Sequence, residues 1–163
     1  YQNFGEMRTM GIEFEAKADV LPSLYAYANT TLQDLRDVRD YEPASTVPNP
    51  TKDKRMPNIP YLMGNMGLEF HRENLFGGTG QNTRIFLDYA FVEEYYYDFE
   101  MTKLDKRRIP RSMTFDLGFE HSFLNNKLFI SGKIRNLTDQ KVVTEFNRPL
   151  PGINGGVKLR VIF

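Results

Sequence analysis

Four basic residues recur at alternate positions late in the chain: Lys133 and Arg135, then Lys158 and Arg160. Two acids, Asp116 and Glu120, sit in an earlier segment of the same alternating character. Groups spaced this way bind by charge, because every second residue of a strand projects from one face and acids attract bases on the neighbouring strand. Catalysis has a different signature, a nucleophile with a base and an orienting group, and no such set is recognisable here. The two histidines, His71 and His121, have no second His or Cys at metal-ligand spacing. Gly77-Gly78-Thr79-Gly80 lacks the Lys-Ser/Thr that completes a phosphate loop, and reads as a flexible turn. The residues imply no cofactor and no metal.

The elements that carry these charges read as strands. In residues 155–163, Val157, Leu159, Val161 and Phe163 share one face while Lys158 and Arg160 occupy the other. Seven such runs are expected, near residues 6–19, 23–37, 60–73, 83–97, 111–123, 128–136 and 155–163, and none has sustained helical periodicity. The fifth alternates Met113, Phe115, Leu117, Phe119 and Phe123 with Thr114, Asp116, Gly118, Glu120 and Ser122. The pattern suits an all-β, antiparallel up-and-down barrel with lipid outside and a watery lumen; an amphipathic strand in a soluble sheet has the same alternation.

Composition narrows the choice without making it. The chain has 163 residues, no net charge and 40% hydrophobic residues, with a mean hydropathy of -0.49. Neutral balance gives no basic footprint for nucleic acid. No apolar run is long enough for a spanning helix, but barrel strands cross with only about 9–11 residues and keep mean hydropathy low. The absence of cysteine excludes disulfides and thiolate metal sites. The first residue is Tyr1, with no charged-then-apolar leader behind it, so the sequence is expected to be a processed product or part of something longer.

Connections alternate in length. Short links follow the first, third and fifth runs, while long polar stretches cover about 38–58, 98–110 and 137–153. Short periplasmic turns at one end and extracellular loops at the other produce this alternation in a membrane barrel. Asn125-Asn126 suits a type I′ turn, which pairs Phe123 with Leu128, Phe119 with Gly132 and Leu117 with Ile134, and sets Glu120, Gly118 and Asp116 against Ser131, Lys133 and Arg135. Energetics then orients the wall: a Lys or Arg facing mid-bilayer costs roughly 2–4 kcal/mol. Asp116, Glu120, Lys133, Arg135, Lys158 and Arg160 are therefore expected to face the lumen or whatever fills it. Tyr95, Tyr96, Tyr97 and Phe99 are expected in one aromatic girdle, Tyr25 and Tyr27 in the other. Exposed ligand-binding candidates in the long loops are Asp37, Arg39, Asp40, Tyr41, Lys103, Asp105, Lys106, Arg107, Arg108 and Arg148.

An odd number of strands leaves open edges that lipid does not tolerate, so a missing remainder is expected. Several segments, RTMGIEFEAKAD (8–19), LYAYANTTLQDL (24–35), RMPNIPYLMGNMGLEF (55–70), LFISGKIRNLTDQK (128–141) and the terminal VKLRVIF, taken in order, resemble the C-terminal part of a TonB-dependent outer-membrane receptor of the Bacteroidetes kind. The resemblance implies that residues 1–163 are part of a roughly 22-stranded barrel whose plug domain lies outside this chain. It further implies outer-membrane import of a scarce ligand such as an iron chelate, cobalamin or glycan. Implied partners are the rest of the barrel and its plug, TonB through the absent N-terminal region, outer-membrane lipid, the barrel assembly machinery reading Val161 and Phe163, and a surface lipoprotein. Two other readings stay open at this stage. One is a small eight-stranded barrel or passive porin, with its extra strand in KVVTEF (141–146). The other is a soluble lipocalin-like carrier, which would bury the apolar face.

Overall fold

A computed structural model describes residues 6–101, 107–145 and 147–163. The strands are β1 (Met7–Leu21), β2 (Leu24–Asp37), β3 (Leu62–Glu73), β4 (Asn82–Val92), β5 (Tyr95–Tyr96), β6 (Arg108–Ile109), β7 (Ser112–Phe123), β8 (Leu128–Arg135), β9 (Val143–Glu145), β10 (Arg148–Pro149) and β11 (Asn154–Val161). Seven of them form one antiparallel sheet in the order β1-β2-β3-β4-β7-β8-β11, so neighbours in the sheet follow one another along the chain apart from two short hairpins. Those hairpins, β5 with β6 and β9 with β10, stand in the long loops. Tight links join β1 to β2, β3 to β4 and β7 to β8 at one end, and all three long loops leave from the other.

Period-two sequence dictates two unlike faces. Ile12, Phe14, Ala16 and Ala18 on β1 lie opposite Leu32, Thr30, Ala28 and Ala26 on β2. The same face continues through Met66 and Leu68, Leu87 and Tyr89, Phe115 and Leu117, Ile134 and Ile130, to Leu159 and Val157. Along β7 this apolar face is the more exposed one: Met113, Phe115, Leu117 and Phe119 are open, while Thr114, Asp116 and Glu120 between them are half-buried and Gly118 is buried. A soluble strand has the opposite order. Among the described residues the only buried hydrophobic side chains are Ile109 and Val142, and both belong to the loop end. The lipocalin-like expectation, apolar residues packed in a closed core, is thereby corrected.

On β2 the apolar band ends at Leu32. Asp34 and Arg36 follow on the same face, paired at 2.7 Å, and Asp34 also accepts from Arg55 Nε at 3.0 Å. Leu24 to Leu32 is nine residues, about the length that crosses a bilayer when tilted.

The hairpin register is as expected from Leu117↔Ile134 to Phe123↔Leu128. Asn125 and Asn126 both have positive φ, 55° and 64°, as a type I′ turn needs. Leu124 also has a positive φ of 54°, and Lys127 N–H donates to both Phe123 and Leu124 carbonyls, so four residues separate the last pair. The ladder stops short of Asp116 and Arg135. Asp116 turns instead to the backbone N–H of Asn136, 3.0 Å away, and to Lys133.

Four further expectations need correction. β4 ends at Val92, not at 97, because Glu93 is buried, with its carboxylate accepting from Arg111 and from the Glu94 N–H, which takes the chain out of the sheet. Tyr95 and Tyr96 form β5 rather than extending β4 into a girdle. Tyr25 and Tyr27 fall on the polar face, where the Tyr27 hydroxyl donates to Asp88 at 3.0 Å. The KVVTEF segment supplies β9, which pairs only with β10 and adds no strand to the main sheet.

Candidate functional site

On the polar face, β4 and β7 set Asp88 directly opposite Asp116. Like charges so placed repel. Lys133 on β8 lies 3.2 Å from Asp88 and 3.3 Å from Asp116, over the Phe86 ring, and binds the two strands together. Phe86 in turn covers its cross-strand partner Gly118, as Tyr27 covers Gly67, so that large rings fill the space their glycine partners leave. Beside this cluster Arg84 grips Glu69 with two hydrogen bonds, 2.9 and 2.7 Å, and reaches toward Glu120 at 3.8 Å.

The other expected lumen residues stand apart. Arg160 lies over the Phe129 ring, its guanidinium carbon 3.9 Å from the ring centre. Arg135 and Lys158 have no ion-pair partner among the described residues, and with Lys133 and Glu120 they line a recess of about 440 Å³ next to Gly156. Four cations thus gather on β8 and β11, and only Lys133 is neutralised within the sheet.

Replacing Lys133 with methionine is expected to lower stability by about 1 kcal/mol, since groups this exposed are screened. Urea midpoints of the receptor in phospholipid vesicles measure it. Adding Asp88→Asn is expected to recover part of the loss, and a wild-type midpoint for Lys133→Met would remove the bridging role.

At the long-loop end, the first loop is built on one carboxylate. Asp37, 1% exposed, accepts from the Arg39 backbone N–H and guanidinium, from Asn49 Nδ2 at 3.0 Å and from Thr51 Oγ1 at 2.7 Å. The Arg39 fork, helped by Thr51 and Asn49, holds the Asp37 carboxyl well below the usual carboxylate range against the opposing effect of burial. Asp37 and Arg39 were expected to be exposed contact residues; the structure withdraws them into this pair.

The remaining loop candidates scatter. Asp40 is paired with Lys52, and Tyr41 is exposed across a bridge to Pro48. Arg107 meets Asp98 at 2.7 Å, and Arg148 meets Glu145 at 2.9 Å. Lys103, Asp105 and Lys106 lie outside the described residues. Arg108 is tied to Glu94 and stacks on Tyr96, 4.7 Å from the ring centre.

Arg108 leads to a site the sequence did not reveal. A recess of about 470 Å³ between the first and second loops is lined by Arg36, Arg55, Tyr61, Tyr95, Tyr96 and Arg108, among others. Arg55 stacks on Tyr61 at 4.5 Å. Burial pushes the Tyr95 and Tyr96 phenols above their ordinary range, so both remain neutral donors at physiological pH. Their run, Tyr95-Tyr96-Tyr97, was the available signal. Its meaning depended on leaving the sheet at Glu93. The loops are also tied to each other: Asn58 N–H donates to Tyr96 O, and Tyr95 Oη to Thr144 O at 2.8 Å.

Chemically the arrangement offers charge pairing, stacking and hydrogen bonding at a loop mouth, and a polar face beneath it. The crystal structure of the ferric yersiniabactin uptake receptor FyuA from Yersinia pestis matches with a TM-score of 0.69 at 17% identity, over 96% of this chain and 24% of that one. The likeness is one of fold, and the chain spans about a quarter of that receptor's length. No curated protein matches. The family model "TonB dependent receptor-like, beta-barrel" matches residues 1–137, and with an up-and-down sheet whose exposed face is apolar, the chain belongs to the TonB-dependent receptor β-barrel family of the bacterial outer membrane.

Proposed function

We propose that this chain forms the C-terminal part of the barrel wall of an outer-membrane transporter that imports a scarce ligand, an iron chelate, a cobalamin or a glycan, with energy relayed by TonB. The observation that carries the reading is the sheet's inverted exposure, with hydrocarbon open on one face and ion pairs gathered on the other. β1 and β11 each have one unpaired edge, which supports completion by further strands of a roughly 22-stranded barrel. Arg135, Lys158 and Arg160 then face carboxylates of the plug or of the barrel's first strand. Val161 and Phe163 serve as the signal for the barrel assembly machinery. Ligand contacts come from the loop mouth, with Tyr41, Arg107, Arg108 and Arg148 joined by Lys103, Asp105 and Lys106, and a surface lipoprotein covers that mouth. The uptake of a ferric chelate named for FyuA lies within the proposed ligand range.

The test is accumulation of labelled ferric chelates and cobalamin by cells whose only such receptor is the intact protein, with and without a protonophore. Energised import predicts accumulation of one class, abolished when the proton gradient collapses. Entry unaffected by the protonophore would replace the transporter with a passive porin.

A further inference from the structure

One group on the apolar face is out of keeping with it. His121 lies near the tight-turn end of β7, opposite Thr83 on β4, and is only 4% exposed. Its Nδ1 is 2.8 Å from Thr83 Oγ1. Thr83 is fully buried, and its hydroxyl proton has no other acceptor among the described residues. The hydrogen-bond pattern thus assigns Thr83 as the donor to Nδ1, which leaves the imidazole N–H on Nε2.

That Nε2–H has no partner among the described residues. Three rings surround the imidazole: Phe123 edge-on at 4.2 Å, Phe76 edge-on at 5.3 Å and Phe119 parallel at 6.3 Å. Phe76 comes from the Asn74–Gln81 link, closed by Asn74 N–H to Gln81 O and positive φ at Gly77, Gly78 and Gly80. With Gln81 and Ile130 these residues line a recess of about 320 Å³, almost wholly apolar. Gln81 Oε1, in the same lining, is buried without a hydrogen-bond partner. One donor and one acceptor are thus left unmatched around a greasy hollow, where an unmade hydrogen bond is costly.

We propose that this recess is a binding site for a phospholipid whose headgroup carries a primary ammonium, with His121 Nε2–H donating to its phosphate or ester oxygen, Gln81 Oε1 accepting from the ammonium and an acyl chain lying against Phe76 and Ile130. The inference rests on the reading of this face as lipid-facing, and it places the lipid in the leaflet beside the tight turns. A choline headgroup offers the same phosphate and chains but no N–H, which makes the pair a direct comparison.

The experiment uses the intact receptor, exchanged into mixed micelles containing phosphatidylethanolamine or phosphatidylcholine of matched chains, with bound lipid counted by native mass spectrometry. Wild type is expected to retain the ethanolamine lipid about tenfold better, as one charge-assisted hydrogen bond allows. Gln81→Leu is expected to erase that preference, and His121→Phe to lower retention of both lipids alike, in receptors whose heat-modifiable gel migration shows a folded barrel. Should His121→Phe fail that check, Gln81→Leu, on the link between β3 and β4, carries the test. Equal retention of the two lipids by wild type, a preference that survives Gln81→Leu, or undiminished retention of both lipids by His121→Phe in a folded receptor overturns the site and leaves the transporter reading standing. A receptor recovered without detergent in the soluble fraction overturns both.

Discussion

Leu117→Arg is expected to cost about 2–4 kcal/mol in the receptor folded into phospholipid vesicles, read from its urea midpoint. Leu117 sits at mid-strand on β7, opposite Leu87, with apolar neighbours on every side of the face. Its side chain is 39% exposed in the chain itself. At a site so open to water, a surface substitution would change stability by no more than about 0.5 kcal/mol. The two solvents therefore predict different results from one substitution. Thr114→Arg, three residues earlier on the polar face, is the control and should stay within about 0.5 kcal/mol. If both variants behave alike, the lipid-facing assignment of the apolar face is wrong.

The second large effect is local. Asp37→Ala removes the carboxylate that Arg39, Asn49 and Thr51 share, and takes from the Arg39 guanidinium its 2.6 Å ion pair. Breaking one partner of a buried pair typically costs about 3–5 kcal/mol, more than a surface loop holds in reserve. The loop over residues 38–57 is expected to open while the sheet stays intact. Hydrogen exchange and limited proteolysis should report it as lost protection confined to that segment, and unchanged exchange there would show that the cluster does not hold the loop. The pH dependence follows from the sign of the shift. Because Arg39 depresses the folded carboxyl below its unfolded value, the stabilisation is complete above about pH 4 and is lost only as pH falls through the lower folded value. Loop protection should therefore persist at about pH 4, where ordinary carboxylates are half protonated.

These two sites differ in how far the sequence reveals them. Leu117 is legible because a strand has period two: once Phe115 and Phe119 are apolar and Asp116 and Glu120 are not, the face is decided, and the Asn125-Asn126 turn settles its register with Ile134. The Asp37 cluster is not legible, because Asn49 and Thr51 reach Asp37 only after a loop rich in proline has folded back on β2. A charged residue at the start of a polar loop reads as solvated, and burial reverses that meaning. The recess lined by Arg55, Tyr61 and Tyr96 is hidden for the same reason: its parts come from two loops that meet through Asn58, which donates to the Tyr96 and Tyr97 carbonyls. Asn136 is an intermediate case. Its motif, Asn136-Leu137-Thr138-Asp139, carried resemblance without a physical reason, and the structure supplies one. The side chain bonds both to the Gln140 carbonyl and to the Gln140 N–H, and positive φ at Asn136 and Asp139 turns the chain away from β8.

Strand length declines across the sheet, from 15 residues in β1 and 14 in β2 to 8 in β8 and 8 in β11. Followed through the pairings, Leu24 is level with Phe70, Ile85, Phe119 and Gly132, so Asp37 lies 13 residues beyond that level toward the loop end and Arg135 only three, a difference of about 33 Å along the strand direction. The parapet is thus a ramp, tall beside β1 and low beside β11. A molecule descending from above would meet the first loop's Asp37 cluster well before it drew level with Arg135.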